Sequence, residues 1–299
     1  LSIVADRSRQ LPVLDPTGRQ LTLSCGCALF NARVAAAADG LTVRVTRFPE
    51  GPDSDALACL DLCTPDDMDV DAPVEAADLR EFEIAIAARH TNRRKFRDDP
   101  VPRSVLDIVQ YSASLEGAVA IEVDTEQDRM TLARLSQHAD AIQYADPAYR
   151  AELRRWTTDD PTRRDGVAAR SVPHVDAGSG DEIPMRDFDA RGTGFLPTET
   201  SSTRDQCLVL LGTEGDDAEA WLYAGEALER ILLEISRNGL VASPLTQVVE
   251  VASARAALRS ELRLTVYPHV LLRIGYAAPT AGSSRRAIED VIDHHPVSA

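Results

Sequence analysis

The chain has 299 residues, 44% of them hydrophobic and 27% charged, so it can bury a large core in one or two domains and is not a disordered chain. Asp and Glu number 48 against 32 Lys and Arg, a formal charge of -16, which argues against nucleic acid and anionic membrane as partners, or reflects solvation in salty or crowded surroundings. No run of about 18 apolar residues and no signal peptide is visible, so no membrane-crossing segment is expected. The five cysteines, Cys25, Cys27, Cys59, Cys63 and Cys207, make no dense disulfide framework; a reduced, cytoplasmic setting and no metal site are expected.

In chain order, LSIVAD reads as a strand already under way, and with no leading Met an upstream segment is expected. Residues 12–18 are rich in turn formers. The stretch LTLSCGCALFNARVAAAADG reads as a close-packed helix through Leu29, Val34 and Ala37, ending at Gly40. LTVRVTRF alternates Leu41, Val43 and Val45 with Thr42, Arg44 and Thr46, a half-buried strand. Residues 49–78 are acidic and turn-like, with a short helical piece expected at 55–62. That stretch is the best boundary between an N-terminal half, 1–75, and a C-terminal half, 76–299.

Leu79, Phe82, Ile86 and His90 suit one helical face. The segment RHTNRRKFRDDPVP follows, with four arginines and a lysine within nine residues. Arginine forks suit phosphate oxygens, and an interdomain salt-bridge cluster is the other reading. A helix continues through Val105, Leu106 and Val109, then a strand over 118–123. An amphipathic helix over 130–144 and a second helix through Tyr149, Leu153 and Trp156 flank Asp146-Pro147. Residues 159–194 have little periodicity and are long for a structureless loop, so they read as a lid or as a segment that wraps a partner. QCLVLLGT is an apolar strand.

The stretch WLYAGEALERILLEISRNGLVASPL organises the rest. Leu228, Ile231, Leu232 and Ile235 recur at helical spacing, and Ala224, Ala227 and Leu233 widen the apolar face. Glu226, Arg230, Glu234 and Arg237 form one charged line, read as a wet edge with i,i+4 pairs. Asn238 and Gly239 end the helix, and 240–245 reads as an apolar turn with backbone free to meet a ligand. A helix over 253–264 and a strand over 270–277, interrupted by Arg273, come next. A bend at 280–286 carries Arg285 and Arg286, and Ile288, Val291 and Ile292 make a short terminal helix.

No G-x-G-x-x-G, Walker, G-x-S-x-G or H-E-x-x-H sequence occurs, and the six histidines lack metal spacing; most read as surface or satisfied core residues. Two arginine clusters remain, Arg93/Arg94/Arg97 and Arg285/Arg286. Brought together, they make a phosphate clamp.

Several segments in order carry a family resemblance: AARHTNRRKF, matching an Arg-x-Thr-x-Arg-Arg-x-Phe pattern; SVPHVDAG with MRDF; WLYAGEALERILLEISRNGLVASPLTQVVE; HVLLRIGYA; and SSRRAIEDVI. Over nearly its whole length the chain resembles the nitroreductase superfamily, in its fused, internally duplicated, mycobacterial Acg-like branch. The resemblance implies an α+β nitroreductase-like fold, an internally duplicated pseudo-dimer with mixed sheets surrounded by helices, in a single-chain particle rather than an ordinary homodimer. It implies one FMN at most, NADH or NADPH as reductant and a small aromatic acceptor such as a nitro compound or quinone. Arg89, Thr91, Arg93 and Arg94 match phosphate and ribityl contacts, Arg285 and Arg286 the carboxy-terminal phosphate arginines, and Ser243, Pro244 and Leu245 the loop against the isoalloxazine edge. The family's Pro-Ser-x-x-Asn-x-Gln-Pro segment is not in the chain, and its expected place is just before Leu1. The glutamate common in the 243–245 loop is missing too, so flavin storage or sequestration with little nitroreductase activity is the alternative to an oxidoreductase. No catalytic residue is assigned.

Overall fold

The structure is a computed structural model that describes residues 1–63, 79–160, 162–173, 183–188, 206–280, 282 and 284–293. The expected boundary at residue 75 lies outside the described residues, as does most of the stretch 174–194 of the expected lid. Two antiparallel sheets are joined by a pair of long helices, an α+β arrangement.

The smaller sheet has the order β1-β3-β2, from β1 (Ser2–Val4), β2 (Val43–Arg47) and β3 (Ala56–Leu62), with α1 (Arg19–Ala38) between β1 and β2 in sequence. The helical piece expected at 55–62 is therefore a strand. Leu57, Ala58 and Leu60 are buried, and Cys59 stands opposite Ser2 on one side and Thr46 on the other. Two partner strands satisfy the β3 backbone on both edges, which a seven-residue helix in that place would lack the length to do for itself. Cys59 and Cys63 consequently share no helical face.

The larger sheet has the order β4-β7-β9-β8, every neighbouring pair antiparallel, from β4 (Val119–Glu122), β7 (Cys207–Thr213), β8 (Val241–Pro244) and β9 (Tyr267–Gly275). Alternation in β7 sends Val209 and Leu211 to one face and Leu208 and Leu210 to the other. The first face is covered by α3 (Arg103–Leu115) and α6 (Ala218–Arg237). The second is covered by α4 (Glu126–Ala145), α7 (Gln247–Glu250) and α8 (Ala252–Glu261). Cover on both faces is why β7 and β9 read as apolar runs rather than as alternating ones. The remaining described elements are α2 (Glu83–Ala88), α5 (Pro147–Trp156), capped by Asp146, and a short parallel pair, β5 (Thr157–Thr158) with β6 (Val167–Ala168).

Two expectations about this sheet are corrected. Arg273 does not interrupt β9; it lies inside the strand opposite Leu208 and Ser243. Residues 240–245 are not a free turn but the edge strand β8 and its exit. Leu245 N donates to Leu271 O at 2.8 Å, and Ala242 O accepts from Asn92 N at 3.1 Å. A buried peptide needs those partners, which a ligand would otherwise have to supply. The expected terminal helix is reduced to a 3-10 turn over 288–290, with Ile288, Val291 and Ile292 exposed.

α6 starts at Asp217, whose carboxylate accepts from Ala220 N at 2.9 Å, and ends at Asn238, with Gly239 at φ 73°. It is buried on several sides. Leu222 faces the smaller sheet, Leu233 packs with Phe30 and Phe82, and Ala227, Ile231 and Ile235 face the larger sheet. α1 crosses it at Gly26 and Gly225. A Cβ on Gly26 would stand 2.3 Å from Leu222 O, and one on Gly225 2.1 Å from Leu23 O, so the backbones touch and only hydrogen fits between them. By length and mean hydropathy (1.4), α1 passes for a membrane span, as the core helix of a folded protein also does, so the expectation that no segment crosses a membrane is not overturned. Here it packs along α6 and carries Arg19 and Arg33 into the interior.

The charged line on α6 is wet only at its C-terminal end, where exposed Arg237 pairs with Glu234 and Glu81; its first half, with Glu229 beside it, is buried. Glu226, Glu229 and Arg230 are 0%, 3% and 5% exposed. Arg33 Nη1 donates to Glu116 Oε2 at 2.6 Å and to Glu226 Oε2 at 2.7 Å. Arg47 donates to both oxygens of Glu226 at 2.7 and 2.9 Å, and Arg230 Nη1 to Glu116 Oε1 at 2.6 Å. Asn31 donates to Glu229 at 3.1 Å, and Arg89 lies 3.1 Å from the same carboxylate. α1 lies over this face, so the i,i+4 partners on α6 are replaced by partners on other elements. Desolvated charges persist because each ends on an opposite charge.

Candidate functional site

Residues 89–97 leave α2 and are bound onto one end of the larger sheet. Asn92, fully buried, is the hub. Its N–H donates to Ala242 O, its Nδ2 donates to Ala278 O at 3.0 Å, and its Oδ1 accepts from Arg94 N at 2.9 Å. Phe96 bridges Ala277, and Arg97 N donates to Tyr276 O at 2.7 Å. Arg273 Nη2 donates to Arg94 O at 3.0 Å, and its guanidinium lies 4.0 Å from the Phe96 ring centroid. The arginine-rich segment is thereby held beside the strand that carries Ser243. Sequence reasoning missed the parts played by Asn92 and Arg273. The available signals were a lone amide among arginines and a lone charge in an apolar strand.

The candidate residues do not share one environment. Arg89 is spent on Glu229. Thr91 is half-buried, with no described side-chain bond. Arg93 is half-buried, with its guanidinium 4.7 Å from the Phe188 ring centroid and no acidic partner among the described residues. Burial, with the neighbouring Arg186 adding repulsion, pushes its pKa down to about 10. Arg94 is also without a described carboxylate, and its Nε is buried with no hydrogen-bond partner. Ser243 is 1% exposed, and its hydroxyl is buried without a partner. Pro244 closes β8 opposite Leu272, and Leu245 packs into the core with Val248 and Leu271. Arg285 is exposed, while Arg286 is half-buried and donates to Asp290 O at 3.3 Å within its own stretch.

Arg186 connects this region to a cavity of about 340 Å3 lined by Asp140, Tyr149, Arg150 and Asp187. It is paired with Glu250, which also accepts from Gln143 at 2.8 Å. Burial opposes the charge of Arg186, yet Glu250 raises its pKa on balance. Burial likewise opposes the charge of Glu250, and Arg186 holds that carboxyl below the usual range. Glu250 is the first acid after Ser243 in sequence and is already engaged. His269 is a satisfied core residue: its Nε2 lies 2.6 Å from Thr213 Oγ1, and burial together with Arg255 and Arg19 pushes its pKa down to about 3.

No protein-family model matches the chain. Curated relatives do. The Mycobacterium tuberculosis protein "Putative NAD(P)H nitroreductase Rv3131" is 33% identical over 301 residues, spanning 98% of this chain and 83% of the relative. "Putative NAD(P)H nitroreductase acg" of the same organism is 29% identical over 299 residues, spanning 97% and 86%. The chain belongs to the nitroreductase family. Among solved structures, the FMN-dependent nitroreductase NfnB of Mycobacterium smegmatis, in complex with NADPH, matches at a TM-score of 0.43 and 16% identity over 73% of this chain and 100% of that one.

Proposed function

We propose that this chain is an FMN-binding oxidoreductase that uses NADH or NADPH to reduce a nitro compound, a quinone or a related small aromatic acceptor. Family membership and the names of the curated relatives support the reaction class. The observation that carries the site is Arg93, a half-buried cation with no described carboxylate, held by the Asn92 bond to Ala242 one residue from the unpartnered hydroxyl of Ser243. These residues fit a phosphate-bearing flavin. Arg93 and Arg94 would hold its phosphate, with Arg285 and Arg286 as further candidates from the carboxy-terminal stretch. Thr91 and Ser243 would hydrogen-bond its polar edges. Pro244, with Leu245 anchored in the core, would fix the wall beside it, while Arg89 supports the segment through Glu229. When bound, FMN supplies the redox chemistry between nucleotide and acceptor. The chain supplies position, charge and exclusion of water.

Arg93 lies against Phe188 of the 159–194 stretch, which supports that stretch as a lid over the site. The seam between α1 and α6 supports a pseudo-dimer of the halves 1–75 and 76–299 within one chain, which light scattering would give as a single-chain mass. The free cysteines among the described residues accord with a cytoplasmic protein.

One observation favours flavin sequestration as a second reading: the stretch 241–249 holds no acidic residue, and the first that follows, Glu250, is bound to Arg186. Anaerobic stopped-flow with NADH and with NADPH separates the two. Saturable bleaching within seconds and reoxidation by a nitroarene or quinone is the expected result. Bleaching by dithionite alone assigns the protein to sequestration, and colourless protein that takes up no added FMN removes both readings.

A further inference from the structure

A second cavity, of about 570 Å3, lies at the other end of β9. Its walls are α8 and the start of β9, and at the usual rise per residue it sits roughly 20 Å along the strand from Arg273 and Gly275. Arg255, Arg259 and Arg263 line it at four-residue spacing, the last just past the helix in the left-handed region at φ 53°. Arg255 is already engaged: its Nη1 and Nη2 donate to Asp216 at 2.8 and 2.7 Å, and its Nε donates to Pro268 O at 2.7 Å. Asp216 also accepts from the Trp221 indole at 2.8 Å, so the one carboxylate that lines the cavity among the described residues is consumed.

Arg259 and Arg263 have no described acidic partner. The Arg259 guanidinium is stacked 3.7 Å from the Tyr267 ring centroid, which fixes its plane, and its buried Nε has no hydrogen-bond partner. Glu261, the acid between them in sequence, is taken by Arg134. In a chain of charge -16, two arginines on a cavity without a spare carboxylate leave a place for an incoming anion. A fixed guanidinium beside a second cation suits phosphate, and Ala256 and Leu264 add apolar wall beyond what a bare ion needs. We infer that this cavity binds a small organic phosphate of the size of a nucleoside monophosphate, with Arg259 and Arg263 on the phosphate and the apolar wall against the organic part. The site is separate from the one assigned to FMN.

The test is calorimetric titration of the full chain with AMP, adenosine and inorganic phosphate, run in parallel with FMN saturating and without FMN. Fluorescence of Trp221 in a Trp156→Phe background reports on the Asp216 end of the cavity. AMP is expected to bind saturably in both states, adenosine not at all and phosphate more weakly. Arg259→Gln and Arg263→Gln should each weaken AMP by about tenfold, and Arg93→Gln should leave it unchanged. Arg263 is exposed, so its variant tests the site even if Arg259→Gln fails to fold. Absence of saturable AMP binding at millimolar concentration overturns the proposal. So does AMP affinity unchanged in Arg263→Gln, or AMP binding abolished by FMN or by Arg93→Gln. Adenosine or inorganic phosphate binding as tightly as AMP overturns the organic-phosphate assignment.

Discussion

Between α1 and α6, Arg33, Arg47, Arg89 and Arg230 each end on Glu116, Glu226 or Glu229, whereas Arg93, four residues beyond Arg89, ends on an aromatic ring beside another arginine. Residue type and partial burial are shared; the counter-charge differs. In the seam the fold supplies every carboxylate, so the arginines there hold the chain together and have nothing left for a ligand. At Arg93 the fold supplies none among the described residues, and the cost of desolvating the cation is left for a bound anion to offset. Charge alone therefore does not mark a binding site in this protein; an unanswered charge does.

The comparison breaks most readily at Glu226. Glu226→Gln leaves Arg33 and Arg47 short of a buried counter-charge, and a loss of roughly 3–5 kcal/mol in denaturant unfolding is expected. A loss within experimental error would mean that the seam holds no more than a surface pair does. Next is Arg93→Met, whose flavin phosphate affinity should fall by about 1.5–3 kcal/mol, a hydrogen bond to a charged group, while the flavin-free chain loses no stability. A destabilised apo protein would class Arg93 with the seam. Gly225→Ala tests whether the seam depends on backbone contact, with an expected cost of about 1–3 kcal/mol from overpacking and no change in flavin affinity once folded. The smallest effect belongs to Ser243→Ala: about 1 kcal/mol in flavin affinity, read by titration, with apo stability held or slightly raised because an unpartnered buried hydroxyl is removed.

How much of this was legible in sequence depended on where each element finds its partners. α6 and β7 carry their own signals, a long 3.6-residue period with a cap at each end and an apolar run of strand length. β3 carries little, because its two hydrogen-bonding partners begin at Ser2 and Val43 and its acidic flanks read as turn. The charged line of α6 was visible but its setting was not: Glu226 and Arg230 at i,i+4 look the same on a wet surface and under a crossing helix. Similarly, the arginines of 89–97 were found by pattern, while their attachment through Asn92 and Arg273 required the edge of a sheet built from residues about 150 positions later. Periodicity reports the element; only the tertiary neighbour decides whether a charge is answered.

The crossing of α1 and α6 also bears on how the chain reaches its native state. Asn31 and Glu229, bonded across it, are 198 residues apart in sequence. During synthesis α1 emerges well before the helix that covers it, since Ala218 follows Ala38 only after a long intervening stretch of chain. In that interval a segment apolar enough to pass for a membrane span has no native partner for its α6-facing side. Contacts this distant in sequence close slowly, and exposed apolar surface in such a delay invites aggregation. The helix that anchors the folded protein is thus also an exposed apolar surface until α6 is made.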